Sequence, residues 1–567
     1  MTVKTRHPLV IAGLGLALLF VLATPASGQE RFGSFIGTVT DPTAAMLPEV
    51  TVIIVNKDTG RELTTKTDAT GSYVFKSVEP GRYKFSFDRA GFAGFQVADA
   101  LLLVGREIRV DAQMEIASAR ASISVSETAP LIDTSGVLTA NNITAEEFSN
   151  LPKGRSFQGL ITLAPNVNSG TLESGYQVNG ASGAENQFLV DGVRTNSLID
   201  GRSRQNAAFE ILQEVQVKSG GMDAEYGGAL GGVISAVTKS GGNQFHGEGH
   251  YYYFGNAISA GPVQRLYLYD QYGSGNSPFY VQDHKNQNDT HEFGGSLGGP
   301  LVKDKLFFFA AASPQLQRRS NLYLFNNGTQ PDTINSNVTT QQVFTKLTAV
   351  PVQRLRMNFT WAWQPTRTEG VLPAYDGVGN AALTTAAGAA PNKTRGWSNP
   401  QTSYTGRIDY TVSPTSVLSV SGARFYDNFR TWGIPPISSV TFQTAPAGIV
   451  GLPPNLANAA PGFSNTPRVQ QTYFDIATQT NYQVDFGKFI GHAWGSHDIK
   501  IGGGTSKGIN KVDISYPGPG YVYVYWGRQY TQQGTGNKVG GRNSHAELWP
   551  EVIAEAASSA IDMIHNR

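Results

Sequence analysis

The chain has 567 residues with 44 Lys or Arg and 43 Asp or Glu, so its formal net charge is +1 and gives no indication of a nucleic-acid partner. Cys is absent, which excludes a disulfide scaffold, a thiolate metal site and a cysteine nucleophile. Only 15% of residues are charged, and 64 Gly accompany 29 Phe and 23 Tyr, a composition typical of repeated β-hairpins and hence of a mainly β protein.

The first 28 residues have the pattern of a secretory signal peptide. Lys4 and Arg6 precede an uncharged apolar stretch from Leu9 to Ala23, and Ala26-Ser27-Gly28 fits a small-residue cleavage site before Gln29. The apolar stretch is shorter than the ~20 residues that span a bilayer as a helix. No later apolar run approaches that length, so a membrane-embedded mature chain would have to cross as a β-barrel.

Residues 29–115 are predicted to form an Ig-like β-sandwich. Short β-branched runs recur at close spacing and are separated by turn residues such as Asp68-Ala69-Thr70-Gly71. The segments Gly37-Thr38-Val39-Thr40-Asp41 and Pro80-Gly81-Arg82-Tyr83 resemble the carboxypeptidase regulatory-like domain. Since the chain has no H-E-x-x-H motif, no peptidase accompanies this domain. The sandwich is therefore predicted to be a spacer or a docking module.

Residues 116–130 are rich in Ala and Ser and are predicted to be a linker. Within them the sequence from Ser122 to Ser126 alternates polar and apolar residues, as an extended peptide that adds a strand to another sheet would.

Residues 131–242 resemble the plug of TonB-dependent outer-membrane receptors, specifically the Oar-like branch. The resemblance depends on five blocks in the family's order, at residues 151–160, 176–180, 186–193, 211–220 and 223–234. It extends over residues 30 to about 320 and implies an α+β plug that follows the sandwich. The glycines in the last block permit close backbone approach, which a plug threaded inside a barrel needs.

The resemblance also implies roles for individual residues. It places the TonB box, the strand handed to an inner-membrane energy coupler, at Ser122, Ile123, Ser124, Val125 and Ser126. It places the plug signature at Arg155, Asp191, Gly192, Glu214, Lys218, Gly220, Tyr226 and Gly227. The family's Arg-Gly pair reads Lys218-Ser219-Gly220 here. Lys cannot reproduce the bidentate fork of Arg, which argues against a plug–barrel clamp at this position.

Residues 243–530 are predicted to supply antiparallel strands of a transmembrane barrel. Short turns such as Ser413-Pro414-Thr415 alternate with long polar stretches such as residues 365–403, the pattern of outer-membrane barrels. We expect about ten strands of roughly 9–11 residues, whereas the barrels of outer-membrane transporters have about twenty-two. Ten strands would not enclose a plug, so a partial barrel is expected.

Residues 531–567 depart from the family pattern. Apolar residues between His545 and Arg567 follow helical spacing, where the family has a final strand that ends in an aromatic residue. A truncated receptor and a short homologue with a helical tail both account for this pattern.

Candidate chemical sites are few. His246, Glu248 and His250 alternate, so a strand would project all three from one face as metal ligands; polar residues that face a barrel lumen are the favoured interpretation. Gly294 to Gly298 matches G-x-S-x-G, but Gly299-Pro300 follows where a nucleophile elbow needs a helix. The consecutive Ser496-His497-Asp498 cannot form a catalytic relay. We therefore expect no enzyme, no metal and no cofactor.

The resemblance implies a TonB-dependent transporter or receptor in the outer membrane of a Gram-negative-type bacterium, with outer-membrane lipid and a TonB-type coupler as partners. Its extracellular ligand, too large or scarce for porins, remains open among siderophore, glycan, peptide and protein. Two alternatives remain: an adhesion or assembly protein of the same fold without import, and a soluble periplasmic glycan- or peptide-binding module.

Overall fold

The computed structural model describes residues 32–117, 124–126, 139–149, 157–169, 175–198, 201, 203, 208–221, 229–269, 277–282, 285–323, 332–372, 393–434, 439–442, 463–464, 472–491, 495, 497–515, 521–524, 530–531 and 538–539. The predicted signal peptide (1–28) and the predicted tail helix (545–567) lie outside these ranges. None of the helices in the described ranges is long and apolar enough to cross a membrane.

The N-terminal domain is the expected β-sandwich. Its strands are β1 (Gly33–Thr40), β2 (Thr51–Asn56), β3 (Glu62–Lys66), β4 (Ser72–Val78), β5 (Gly81–Asp88), β6 (Phe95–Leu102), β7 (Glu107–Arg109) and β8 (Ala112–Gln113), followed by β9 (Ser124–Ser126). One sheet has the order β4-β1-β7, with β8 also paired to β1, and the other has the order β3-β2-β5-β6-β9. The two sheets bury an aromatic core in which the Phe35 and Phe85 rings meet edge to face, 4.9 Å between centroids.

The central domain is built on a mixed sheet. Its strands and helices are β10 (Thr139–Thr144), α1 (Ala145–Ser149), α2 (Phe157–Leu160), β11 (Val167–Ser169), β12 (Tyr176–Val178), β13 (Gln187–Val190), β14 (Val193–Arg194), β15 (Leu212–Gly220) and β16 (Val233–Thr238), with 3₁₀ turns at Ile161–Leu163, Gly183–Glu185 and Phe209–Ile211. The five-stranded sheet has the order β10-β15-β16-β13-β14, and β13 pairs with β16 in parallel. Its apolar core includes Phe309 and Phe344 from the next domain, so the central domain packs directly against the barrel strands.

The C-terminal part is dominated by one large antiparallel sheet. Its strands are β17 (His246–Phe254), β20 (Gln287–Val302), β21 (Leu306–Ala312), β22 (Gln315–Tyr323), β23 (Asp332–Thr340), β24 (Val343–Val352), β25 (Leu355–Glu369), β26 (Gly396–Ser413), β27 (Ser416–Trp432), β30 (Thr472–Ile490) and β31 (His497–Ser515). Smaller sheets contain β18 (Arg265–Tyr269), β19 (Ser277–Val281), β28 (Ser439–Phe442), β29 (Phe463–Ser464), β32 (Tyr521–Val524), β33 (Tyr530–Thr531) and β34 (Lys538–Val539).

At two places in the large sheet, one long strand pairs with two shorter strands that lie end to end. β21 and β22 follow each other along β20 with a break at residues 313–314, and β23 and β24 follow each other along β25 with a break at residues 341–342. Short turns at residues 303–305, 353–354 and 414–415 join the strands at one end, and the connections at residues 370–395 and 433–471 join them at the other. Within the described strands no pairing joins β17 to β31, so the sheet is open.

Six strands of the large sheet are longer than the sequence predicted, whereas β17, β22, β23 and β24 have 9 or 10 residues, as expected. β30 and β31 have 19 residues each and β26 has 18, against an expected length of roughly 9–11. For these longer strands the expectation was wrong because it counted only the membrane-crossing part. The paired strands continue into the polar stretch that was predicted to be a loop at residues 365–403, where β25 ends at Glu369 and β26 begins at Gly396.

The large sheet has the polarity of a membrane barrel. Along β26 the exposed positions include the apolar side chains of Tyr404, Ile408, Tyr410 and Val412. The alternate, buried positions are polar: Gln401, Ser403, Thr405, Arg407 and Asp409. A water-soluble sheet buries its apolar face and exposes its polar face. The reverse arrangement matches strands that alternate between lipid and a polar lumen.

Candidate functional site

The predicted TonB box borders the sandwich. Ser124–Ser126 form β9, which lies parallel to β6 with Ser124 opposite Phe95, Val125 opposite Gln96 and Ser126 opposite Val97. Ser122 and Ile123 lie outside the described residues. β9 is the last strand of its sheet, and an edge strand presents one row of backbone groups that can pair with another chain.

A loop of the sandwich docks on the central sheet. Between β6 and β7, the carbonyl of Val104 accepts hydrogen bonds from Gln216 Nε2 (2.6 Å) and Asn142 Nδ2 (3.0 Å). In the same loop the Arg106 guanidinium donates to the Ala140 carbonyl (2.7 Å) and to Asn142 Oδ1 (3.0 Å). These polar contacts join the sandwich to β10 and β15.

Glu214 is an acidic residue at this junction. Its side chain is 2% exposed and accepts hydrogen bonds from the Val104 amide (3.2 Å) and from Asn142 Nδ2. Burial raises the pKa of Glu214 to about 7, although the two hydrogen bonds and the charge of Arg106 oppose the shift. The predicted plug-signature residue Glu214 therefore faces the sandwich, a contact that the sequence pattern did not indicate.

The sequence Asp191-Gly192 forms the tight turn between β13 and β14. Both residues have positive φ (47° and 80°), and Val190 lies opposite Val193 across the two-residue loop. A type I′ hairpin turn requires this backbone, which explains why the sequence is Asp-Gly.

The Asp191 carboxylate fastens the turn to the barrel. It accepts a hydrogen bond from the Thr238 amide (3.1 Å) and one from the Thr238 hydroxyl, and Thr360 Oγ1 of β25 lies 3.4 Å away. Lys346 Nζ of β24 lies 3.6 Å from the carboxylate and donates to the Thr238 carbonyl at 3.0 Å. Both charged side chains are almost completely buried. Lys346 was not predicted, because its only signal in the sequence is a cation at an inward position of an alternating strand.

The remaining predicted signature residues are distributed differently. Lys218 is buried within β15, opposite Ala140 and Val233. Gly220 ends β15 opposite Thr139. Arg155, Tyr226 and Gly227 lie outside the described residues. The Asn186 side chain packs closely on the backbone of Gly231, where a Cβ atom would lie 2.4 Å from Asn186 Oδ1.

The structure does not bring His246, Glu248 and His250 together as metal ligands. Glu248 pairs with Lys239 (3.0 Å), and the His246 ring stacks on Phe309. His250 Nε2 instead lies 3.2 Å from Ser313 Oγ. Strand alternation placed the three residues on one face, but the separate neighbours of each one keep them from sharing an ion.

The sandwich also contacts the short-turn end of the barrel sheet. The Arg61 guanidinium pairs with Glu79 (3.1 Å) and donates to the Gln353 carbonyl (3.0 Å) and to Thr411 Oγ1 (3.1 Å). Lys76 forms an ion pair with Asp498 (3.3 Å). The sandwich, central domain and barrel sheet line an open cavity of about 570 Å³.

Three protein families match successive parts of the chain. Residues 34–115 match the carboxypeptidase regulatory-like domain, residues 130–233 match the TonB-dependent receptor plug domain, and residues 237–431 match the outer membrane beta barrel domain.

Individual relatives give a similar result. The chain is 28% identical over 352 residues to the TonB-dependent transporter Oar of Myxococcus xanthus, a match that covers 60% of this chain and 32% of Oar. It is 28% identical over 181 residues to the ferrienterobactin receptor of Escherichia coli strain K12, covering 28% of this chain and 21% of that receptor. A solved structure, the outer membrane transporter YddB from Escherichia coli, has a TM-score of 0.48 and 14% identity, covering 67% of this chain and 55% of YddB. The chain thus spans about a third of the length of Oar and about a fifth of that of the ferrienterobactin receptor.

Proposed function

We propose that this chain, a member of the TonB-dependent outer-membrane receptor family, imports a large or scarce ligand across the outer membrane with energy from an inner-membrane coupler. The coupler pairs with the strand at Ser124–Ser126 by strand addition and pulls on the plug, which follows in the sequence. The observation that carries the proposal is the position of β9 at the edge of the sandwich sheet, immediately before the plug.

The pairing of β9 suits a strand that is handed over. Only three residues of β9 pair with β6, and in parallel geometry, which is slightly less stable per residue than antiparallel pairing. An incoming strand therefore either adds to the outer edge of β9 or replaces β6 at small cost. In both cases residues 122–126 are the segment that the coupler binds and through which it transmits force to the plug.

The contacts between the plug and the barrel are compatible with displacement of the plug. Asp191 and Lys346 hold the β13–β14 turn against the barrel through an ion pair and hydrogen bonds, and Gln479 of β30 donates to the Asn196 carbonyl of the plug. Polar contacts of this kind are exchanged for water contacts when the plug shifts, so their net contribution is modest and displacement is reversible.

The soluble periplasmic alternative conflicts with the exposed apolar face of β26, because water would cover that face. The ligand class stays open, since none of the described contacts identifies a ligand. Import and adhesion differ in whether an energy coupler binds, and the test of the TonB box separates them.

The test uses proline at two successive positions. Successive backbone amides of a strand point to opposite edges, so Ser124→Pro and Val125→Pro together remove a donor from each edge of β9. We expect that the full-length chain in detergent loses binding to the periplasmic domain of the coupler in at least one variant, and that Val125→Pro cells lose uptake while surface ligand binding persists.

Val125→Ala is the matched control, because it shortens the side chain and keeps the amide; its coupler binding should equal that of the wild type. Wild-type coupler binding in both proline variants would refute the TonB-box assignment. Absence of coupler binding in the wild-type chain itself would favour the adhesion or assembly protein.

A further inference from the structure

We propose that Glu210, His250 and Glu292 form a binding site for a divalent transition metal of the Zn²⁺ class at the contact between plug and barrel. One ring nitrogen of His250 and one carboxylate oxygen of each Glu all lie within 4.8 Å of one another. Ligand atoms at about 2.0–2.2 Å from a tetrahedral Zn²⁺ stand roughly 3.4 Å apart. Contraction of each pair by at most about 1.4 Å therefore brings the three groups to coordination distance.

The three ligands come from three different segments. Glu210 lies in the 3₁₀ turn Phe209–Ile211 of the plug, directly before β15. His250 lies on β17 and Glu292 on the adjacent β20. In the antiparallel register His250 is opposite Gly294 and Glu292 is opposite Tyr252, so His250 and Glu292 are diagonal neighbours. An ion at this position would join the plug to two barrel strands.

The backbone leaves space for the imidazole. A Cβ atom at Gly294 would lie 3.0 Å from His250 Nε2 and 2.2 Å from the Ala312 carbonyl oxygen. Any other residue at position 294 would therefore displace the His250 ring or the neighbouring strand. The glycine opposite His250 keeps the ring where it meets the two carboxylates.

The surroundings of the ligands fit a metal site. Glu210 and Glu292 are 8% and 6% exposed, and buried carboxylates are commonly found paired or as ligands of a metal ion. Among the described residues, the buried Nδ1 atom of His250 has no hydrogen-bond partner.

Neighbouring side chains orient the ligands. Ser313 Oγ lies 3.2 Å from His250 Nε2, and Gln315 Nε2 donates to Glu292 Oε2 at 3.3 Å. Outer hydrogen bonds of this kind fix the orientation of metal-binding imidazole and carboxylate groups.

The donor set selects the class of ion. One imidazole nitrogen and two carboxylate oxygens suit Zn²⁺ and similar first-row divalent ions, whereas Ca²⁺ and Mg²⁺ prefer oxygen ligands alone. Three protein ligands leave a coordination position for water. A bound ion would link the plug to the barrel strands and stabilise the resting position of the plug. The proposal is therefore independent of whether the chain imports a ligand.

The test measures Zn²⁺ binding to the full-length chain in detergent after removal of metal with a chelator. We expect one Zn²⁺ per chain, and a Co²⁺-loaded sample with the visible absorption of a low-symmetry site that contains nitrogen and oxygen ligands. Loss of an outer hydrogen-bond partner lowers metal affinity by about 10–100-fold. In the variants His250→Gln, Glu210→Gln and Glu292→Gln, which each lose a ligand, we expect the Zn²⁺ affinity to fall by more than this.

His246→Gln and His291→Gln are the matched controls, because they remove the other histidines of β17 and β20 and should leave binding unchanged. A second readout on the wild-type chain is independent of the folding of any variant: Zn²⁺ should raise the temperature at which protease cuts the plug, and the chelator should reverse this. No Zn²⁺ binding by the wild-type chain, or wild-type affinity in all three ligand variants, would overturn the proposal.

Discussion

At the scale of single residues, the plug is held by a few buried polar side chains whose partners belong to other domains. Asp191 and Lys346 are one such pair, with side chains 2% and 3% exposed. An isolated buried charge is far more costly than a paired one. Removal of one partner therefore has a larger effect than the net contribution of the pair.

We predict that Lys346→Met destabilises the chain by about 3–5 kcal/mol, because it leaves the Asp191 carboxylate buried without its cation. The midpoint of denaturant unfolding in detergent measures the change. The double variant Asp191→Asn/Lys346→Met should recover part of the loss. Glu369→Gln is the control, since the Arg367–Glu369 pair is more than half exposed and its loss should have little effect. A Lys346→Met midpoint equal to that of the control would contradict the clamp.

We predict that the sandwich–plug contact weakens as pH rises. Glu214 has a pKa of about 7 in the folded chain against a reference value of 4.5, so the folded chain binds more protons between these values. Stability therefore falls as pH increases from about 4.5 to 7 and is constant above that range, with a total change on the order of 3 kcal/mol. Thermal unfolding from pH 4.5 to 8 measures it.

Glu214→Gln is the control for the pH effect, because the amide can retain one accepted hydrogen bond but has no charge to titrate. Its unfolding temperature should vary less with pH than that of the wild type. Identical pH profiles for the two proteins would show that another group is responsible.

At the scale of strands, the boundaries could be predicted from the sequence where side chains alternate clearly and could not be predicted elsewhere. β17 begins at His246 and ends at Phe254, as predicted, because its polar residues alternate with glycine and four aromatic residues follow them. The Asp191-Gly192 turn was also recognisable, since its backbone demands those residue types. In contrast, the outer ends of β25 and β26 resemble loops in composition, because strands that extend beyond the membrane need no lipid-facing residues.

Contacts between strands that are distant in sequence were not predictable. Nothing in the vicinity of Lys346 identifies Asp191 as its partner, and nothing near Val104 indicates Glu214. His250 was singled out with His246 and Glu248 because a strand places alternate residues on one face. Its neighbours Glu210 and Glu292 come from other segments, and only the folded chain brings them together.

We predict that Val420→Lys on β27 impairs assembly although Val420 is 41% exposed. A Lys side chain at a lipid-facing position costs about 2–4 kcal/mol near the bilayer midplane, whereas surface substitutions in water are usually close to neutral. The fraction of chain that stays in outer membranes after extraction with urea measures assembly. Met46→Lys in the sandwich, at a similarly exposed apolar residue, is the control and should have no effect. Equal fractions for both variants would mean that this face of β27 is not in lipid.

At the scale of the whole molecule, each pair of domains is joined by buried or half-buried polar groups. Val104 and Glu214 join sandwich and plug, Asp191 and Lys346 join plug and barrel, and Arg61 joins sandwich and barrel. The plug also shares an apolar core with Phe309 and Phe344. If the coupler pulls on β9 as proposed, the force would act first on the polar sandwich–plug junction and only afterwards on the apolar contact with the barrel.

The contacts of the sandwich with the short-turn end of the sheet have a consequence for the order of assembly. Arg61 reaches partners 292 and 350 residues further along the chain, and Lys76 reaches Asp498 at the start of β31. The sandwich has its own core and is synthesised first, yet its docking surface is complete only after strands from β24 to β31 have paired. The domain that precedes the sheet in the sequence thus completes its docking only after the sheet has formed, and this docking requires strands that are in register.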